Sequence, residues 1–135
     1  MATDATTPLD LFDSLIHLRE GGIVDAGPRR GFGDPGLWTV TAFHAADDRA
    51  VHADVWERHP AGQEVLCVLS GVVCVHLRDH DDGREPVATL TAGTCFVVPA
   101  GRWHRLTVRE PGDLLVVTPR EGTGHERMTE PAANV

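Results

Sequence analysis

Residues 64–77 read Glu64-Val-Leu-Cys-Val-Leu-Ser-Gly-Val-Val-Cys-Val-His-Leu77: two short apolar runs rich in valine with Ser70-Gly71 between them. Neither run has the length or the spacing of a helix. The valines favour strands, and the central dipeptide favours a tight turn. A two-residue hairpin at Ser70-Gly71 predicts Cys67 opposite Cys74 as a hydrogen-bonded pair, a register that disfavours a disulfide. Both faces of both runs are apolar, so the second face needs cover, either from an N-terminal helix or from a second subunit.

Similar runs recur outward from this point, near residues 37–43, 51–58, 87–90, 94–98, 104–109 and 114–118. Short strands spaced about 8–12 residues apart predict an all-β sandwich or barrel. Upstream, Leu11, Phe12, Leu15 and Ile16 repeat at helical spacing behind Thr7-Pro8 and Asp10, and Gly21-Gly22 follow as a stop. That pattern predicts one short N-terminal helix packed on the body. Residues 25–36 are rich in Gly and Pro and read as loop. The expected organisation is one domain: a helix and loop over 1–36, a barrel over 37–118, and a polar, loosely docked tail over 119–135.

The chain of 135 residues carries 20 Asp plus Glu against 12 basic residues, all arginine, for a net charge of −8. Hydrophobic residues make up 41%, the balance of a globular protein. Such a charge predicts no nucleic-acid or anionic-lipid partner. No apolar run reaches the ~18 residues of a membrane span. Met1 to Pro8 has neither a basic nor an apolar leader region, so no secretion signal is expected. Without lysine there is no Schiff base and no Walker-type phosphate loop. Without tyrosine there is no phenolic acid, and neither Ser14 nor Ser70 sits in a nucleophile elbow. Three cysteines, Cys67, Cys74 and Cys95, lack metal or disulfide-framework spacing, which points to a reducing cytoplasm. Arginine without lysine suggests a GC-rich bacterial source. Eight histidines with carboxylates turn the search toward metal and acid–base chemistry.

Two segments carry that chemistry: Trp56-Glu-Arg-His-Pro-Ala-Gly-Gln-Glu64 with Gly71, and Gly93 with Pro99-Ala-Gly-Arg-Trp-His104. Residues 57 and 59 are two apart on one strand and share a face. Gly62 permits a turn that returns Glu64 to the same interior. Pro99 and Gly101 make a second turn that delivers His104. Two imidazoles and one carboxylate form a facial triad suited to Fe(II), and less selectively to Mn, Co, Ni or Zn. Glu57 adds a fourth ligand, a proton-transfer group beside the metal, or a surface salt bridge. Either Glu57 or Glu64 is a candidate general acid or base where the metal leaves it free.

These segments resemble the two motifs of the cupin superfamily, G-x5-H-x-H-x3–4-E-x6-G and G-x5-P-x-G-x2-H-x3-N. His59, Glu64 and Gly71 fall on the first; Gly93, Pro99, Gly101 and His104 fall on the second. Val51, Glu57 and Val108 stand where the family has Gly, His and Asn, and the change at Glu57 falls on a metal ligand. The resemblance implies a double-stranded β-helix (jelly-roll) barrel and one divalent metal, Fe, Mn, Ni or Zn, held by Glu57, His59, Glu64 and His104. It also implies a small-molecule substrate for an oxygenase, isomerase or lyase, and a homodimer. A non-catalytic binding or sensing barrel, or one with a vestigial site, is the alternative.

Strand parity assigns Phe43, Val55, Leu66, Val68, Val75, Phe96, Val98, Leu106 and Leu115 to the cavity. It turns Trp56, Arg58 and Trp103 outward, to pack between sheets or across a dimer. Arg102 and Arg105 flank His104 and are candidates for steering an anion, with plain surface charge as the alternative. His44, His52, His76, His80 and His125 have no ligand spacing and read as surface or rim.

Overall fold

The computed structural model describes residues 7–30 and 33–129. The first six of the residues read above for a leader and the last six of the tail lie outside them. Among the described residues the chain forms β1 (Ser14–Arg19), β2 (Ile23–Pro28), β3 (Trp38–Ala45), β4 (Val55–Arg58), β5 (Glu64–Val68), β6 (Val72–Leu77), β7 (Ala88–Leu90), β8 (Cys95–Val98), β9 (His104–Glu110), β10 (Gly112–Thr118) and β11 (Gly124–Arg127). They pair antiparallel in two sheets, ordered β2-β1-β3-β10-β5-β8 and β11-β4-β9-β6-β7. This is the all-β barrel that the short runs predict, in the jelly-roll form that the resemblance implies.

The core lies between the sheets. Leu66 and Val68 from β5 and Leu114 and Val116 from β10 meet Val73 and Val75 from β6 and Leu106 from β9. Their alternation with half-buried neighbours is the period-two pattern of a strand with one face on the core. Burying an aliphatic side chain of this size stabilises the fold by about 1.5–3 kcal/mol. The apolar layer fills one end of the barrel and leaves the polar residues of β4, β5 and β9 at the other.

Three expectations are corrected. The N-terminal helix is a single 3-10 turn, Leu11–Asp13, capped by Asp10 Oδ1 on the Phe12 N–H at 3.0 Å. Leu15 to Leu18 lie in β1, which pairs with β2 and with β3. Gly21 and Gly22, at φ of +77° and +76°, turn a hairpin and do not end a helix. A short isolated helix is marginal, and two flanking strands offer the same residues a full ladder.

The Ser70-Gly71 hairpin does not pair its arms. β5 and β6 lie in different sheets, so Cys67 faces Cys95 and Cys74 faces Thr89. The chain crosses between the sheets where Gly71, at φ +82°, approaches Gly112. A Cβ at Gly112 would stand 1.9 Å from the Ser70 carbonyl oxygen. Only a backbone without side chains fits that crossing.

The predicted run 51–58 is a strand only from Val55. Asp47 caps the turn Asp48–Val51 through the Ala50 N–H at 3.0 Å, and His52 closes it in the left-handed region. Within the tail, β11 pairs with β4, setting His125 opposite Glu57.

Candidate metal centre

Glu57 leaves β4, with His59 just beyond the strand end. Glu64 opens β5, and His104 opens β9. β4 and β9 pair through Glu57 and His104 in one sheet, while β5 belongs to the other. The side chains therefore enter the barrel mouth from both sheets. One donor atom of each of the four lies within 4.8 Å of the rest, and three of the residues are buried. The sequence-predicted ligands are thus all brought together, Glu57 among them.

Neighbours fix how the donors point. His104 Nδ1–H donates to the Arg102 carbonyl at 3.0 Å, which leaves Nε2 toward the centre, 2.9 Å from Glu64 Oε1. His59 Nδ1 bonds Thr123 Oγ1 at 2.8 Å and likewise turns Nε2 inward. Such partners on the outer ring nitrogen set the tautomer and ring angle that metal ligation requires. Glu64 Oε2 accepts from the Thr118 hydroxyl at 2.6 Å. Glu57 Oε2 is held by His125 Nε2 at 2.6 Å, and its Oε1 lies 3.0 Å from His59 Nε2.

His59 Nε2 is the telling atom. It is buried, with carboxylate oxygens at 3.0 and 3.4 Å, yet makes no aligned hydrogen bond. A ring nitrogen aimed between two carboxylates, toward a shared proton or cation, has this geometry. The electrostatics agree. Burial alone would lower the His59 pKa and raise that of Glu64. The hydrogen bonds and charges among these groups outweigh it, lifting His59 to about 9 and dropping Glu64 to about 2. Burial also pushes Glu57 up, but His59 and His125 hold it below its ordinary value against the like charge of Glu64. The cage draws in positive charge, whether proton or metal ion. Two imidazoles and two carboxylates fit a divalent ion, with a neutral net charge once bound.

The cage opens into a cavity of about 890 Å³ whose apolar wall includes Phe43, Val55, Leu66, Leu106 and Val116. Val68, Val75 and Val98 lie in the packed core beneath it. Leu115 faces the opposite side of β10, because the inward residues there are Leu114, Val116 and Thr118. His52 lines the cavity from its turn, as does His44, whose ring bonds Asp113 at 2.8 Å. Thr118, Thr123 and His125 are the site residues the sequence reading missed, His125 having been read as rim.

Other outlying assignments resolve differently. Arg58, Arg78 and Arg105 stack with Trp56 and Trp103 at 4.6–5.5 Å on the outer side of the β4/β9 sheet. Those tryptophans do not pack between the sheets. Arg102 pairs with Asp79 at 2.8 Å, and Arg105 donates to the carbonyls of Gly83 and Ala53 at 3.0 and 3.3 Å. Arg102 is engaged outside the site, which removes it as an anion-steering group, whereas Arg105 lines the cavity with its guanidinium held by those carbonyls.

Residues 50–125 match the family described as the cupin domain. Among solved structures the chain resembles a cupin-2 domain protein of Shewanella frigidimarina, at 21% identity and TM-score 0.48, covering 65% of this chain and 76% of that one. A cupin superfamily protein of Desulfitobacterium hafniense gives 16%, 0.49, 65% and 72%. Bacillus subtilis oxalate decarboxylase gives 14%, 0.49, 74% and 27%. No curated protein matches the chain.

Proposed function

The chain belongs to the cupin family, and on that premise we propose that it is a metal-dependent enzyme acting on a small organic molecule. Glu57, His59, Glu64 and His104 hold one divalent ion, of the iron, manganese, nickel or zinc class. The observation that carries this reading is the convergence of four donor atoms within 4.8 Å, the two histidines turned Nε2-inward by partners on Nδ1. When bound, the ion supplies Lewis-acid polarisation of a substrate oxygen or a position for dioxygen.

The two carboxylates divide the work. Glu64 is 4% exposed, and both its oxygens are engaged, by the imidazoles and by Thr118. It anchors the ion and has no freedom to carry a proton. Glu57 lines the cavity with its side chain 36% exposed. Its Oε2 shares a hydrogen bond with the half-exposed His125, a route by which a proton leaves for solvent. Glu57 is therefore the proton-transfer group. A histidine at that position would ligate without offering a base, so the substitution suits the chemistry proposed.

A second copy of the chain covers the outer face of the β3/β10/β5/β8 sheet. That face presents Val40, Val65, Leu115, Val117 and Val97, the last 48% exposed. It supports the homodimer and supplies the cover that the doubly apolar strands require.

The test is elemental analysis of untagged protein by mass spectrometry, wild type beside Glu57→Ala and His104→Ala. Near-stoichiometric metal in wild type and its loss in His104→Ala are expected. A wild type that stays empty after reconstitution overturns the reading. Turnover retained in full without metal would overturn the enzymatic part.

A further inference from the structure

The chain is acidic, but the cavity wall is not. Of the residues lining it, only the ligands Glu57 and Glu64 are acidic among those described, whereas Arg29, Arg120 and His52 line it as well, as does Arg105, whose guanidinium is held by backbone carbonyls.

Arg29 and Arg120 are also unspent. Arg29 follows β2 and reaches the part of β3 that lies beyond its pairing with β1. Its Nη1 donates to the carbonyls of Ala42 at 2.9 Å and Phe12 at 3.4 Å, while Nε and Nη2 have no partner among the described residues. The Arg120 side chain, two residues after β10, has no hydrogen-bond or ion-pair partner among them. Each presents a guanidinium edge with parallel N–H donors, the geometry that matches a carboxylate. Phe43, Leu66 and Val116 line the same cavity and offer an apolar bed.

From this charge pattern, and resting on the metal-site reading above, we propose that the substrate is a small organic anion. Its carboxylate is received by Arg29 and Arg120, and its apolar body lies against Phe43, Leu66 and Val116. A bound ion neutralises Glu57 and Glu64, so the arginines supply the charge that offsets the substrate's own. They are specificity-determining groups and do not enter the proton transfer.

The probe is hexanoate, with hexanamide as its neutral counterpart. Each is titrated calorimetrically into the full chain, with and without Co(II). Hexanoate is expected to bind about tenfold more tightly than hexanamide. Arg120→Gln, on an exposed and unpartnered side chain, is expected to erase most of that preference and leave Co(II) uptake unchanged. Arg29→Gln does the same, and Arg29→Lys, which keeps a donor for the Ala42 carbonyl, controls for folding. Equal binding of the two probes, or an Arg120→Gln protein that keeps the preference, overturns the proposal. Failure of Co(II) to bind is a separate result that overturns the metal reading. In that case a carboxylate preference lost in Arg120→Gln still upholds the anion site, and its absence overturns it.

Discussion

Glu64 and His104 stand 2.9 Å apart, yet their strands belong to different sheets. Their contact joins the two sheets at the barrel mouth, where the apolar layer no longer does so. Both side chains are buried, so removing one member leaves the other without water or partner to replace it. Glu64→Ala is expected to destabilise the metal-free protein by about 3–5 kcal/mol. Chemical denaturation checks this, and a midpoint equal to wild type would contradict it.

Protons and metal compete for the same cage. His59 is raised to about 9, from 6.5. Its contribution to folding is fully present below pH 6.5 and is lost as pH rises through 9. Glu64 is lowered to about 2, from 4.5, so its contribution is present above 4.5 and is lost as pH falls through 2. The metal-free protein is therefore expected to be most stable between about pH 4.5 and 6.5, as read by thermal melts across pH. Metal uptake has the opposite slope. It must displace the His59 proton, so affinity is expected to climb about tenfold per pH unit up to pH 9 and then level. A flat affinity between pH 6 and 8 would remove His59 from the ligand set.

Thr123 touches no candidate donor atom, but its hydroxyl holds the His59 ring through Nδ1. Thr123→Val keeps the shape and removes the acceptor. Metal affinity is expected to fall about 10–100-fold, with little change in the melting of the metal-free protein. Calorimetric metal titration distinguishes this from a general loss of fold.

The crossing between sheets admits no side chain at Gly112, where a Cβ would meet the Ser70 carbonyl at 1.9 Å. Gly112→Ala must move backbone, and a loss of about 3 kcal/mol or more is expected. Gly93→Ala is the comparison: unlike Gly112 it has a positive φ, +84°, but open space surrounds it. It is expected to cost only about 1 kcal/mol.

A charge placed on the outer sheet face tests the homodimer. Val97→Arg is expected to sediment as a monomer while keeping its metal, against a dimeric wild type. A monomeric wild type would refute the second copy.

His59, Glu64 and His104 were legible because glycine and proline turns fix their spacing on neighbouring strands. Parity alone set Glu57 on the face of His59. Thr118, Thr123 and His125 were not legible. Their partners Glu64, His59 and Glu57 lie 54, 64 and 68 positions away, and no local pattern marks such a contact. The β1 segment shows a different limit. Leu11, Phe12, Leu15 and Ile16 satisfy a helix on paper, and only pairing with β2 and β3 decides otherwise. At Ser70-Gly71 the turn chemistry was read correctly and the sheet assignment was not, because the approach of Gly112, some 40 residues on, sends the arms apart.

The strand β11 gives the centre a history as well as a shape. On a ribosome all four candidate ligands are synthesised before Thr123 and His125, since His104 is the last of them. Until β11 docks, the His59 ring is free to offer either nitrogen and Glu57 lacks its histidine partner. Docking of β11 then commits both. The geometry of the cage thus rests on a strand that contributes none of its four candidate ligands, and it is complete only when β11 pairs with β4.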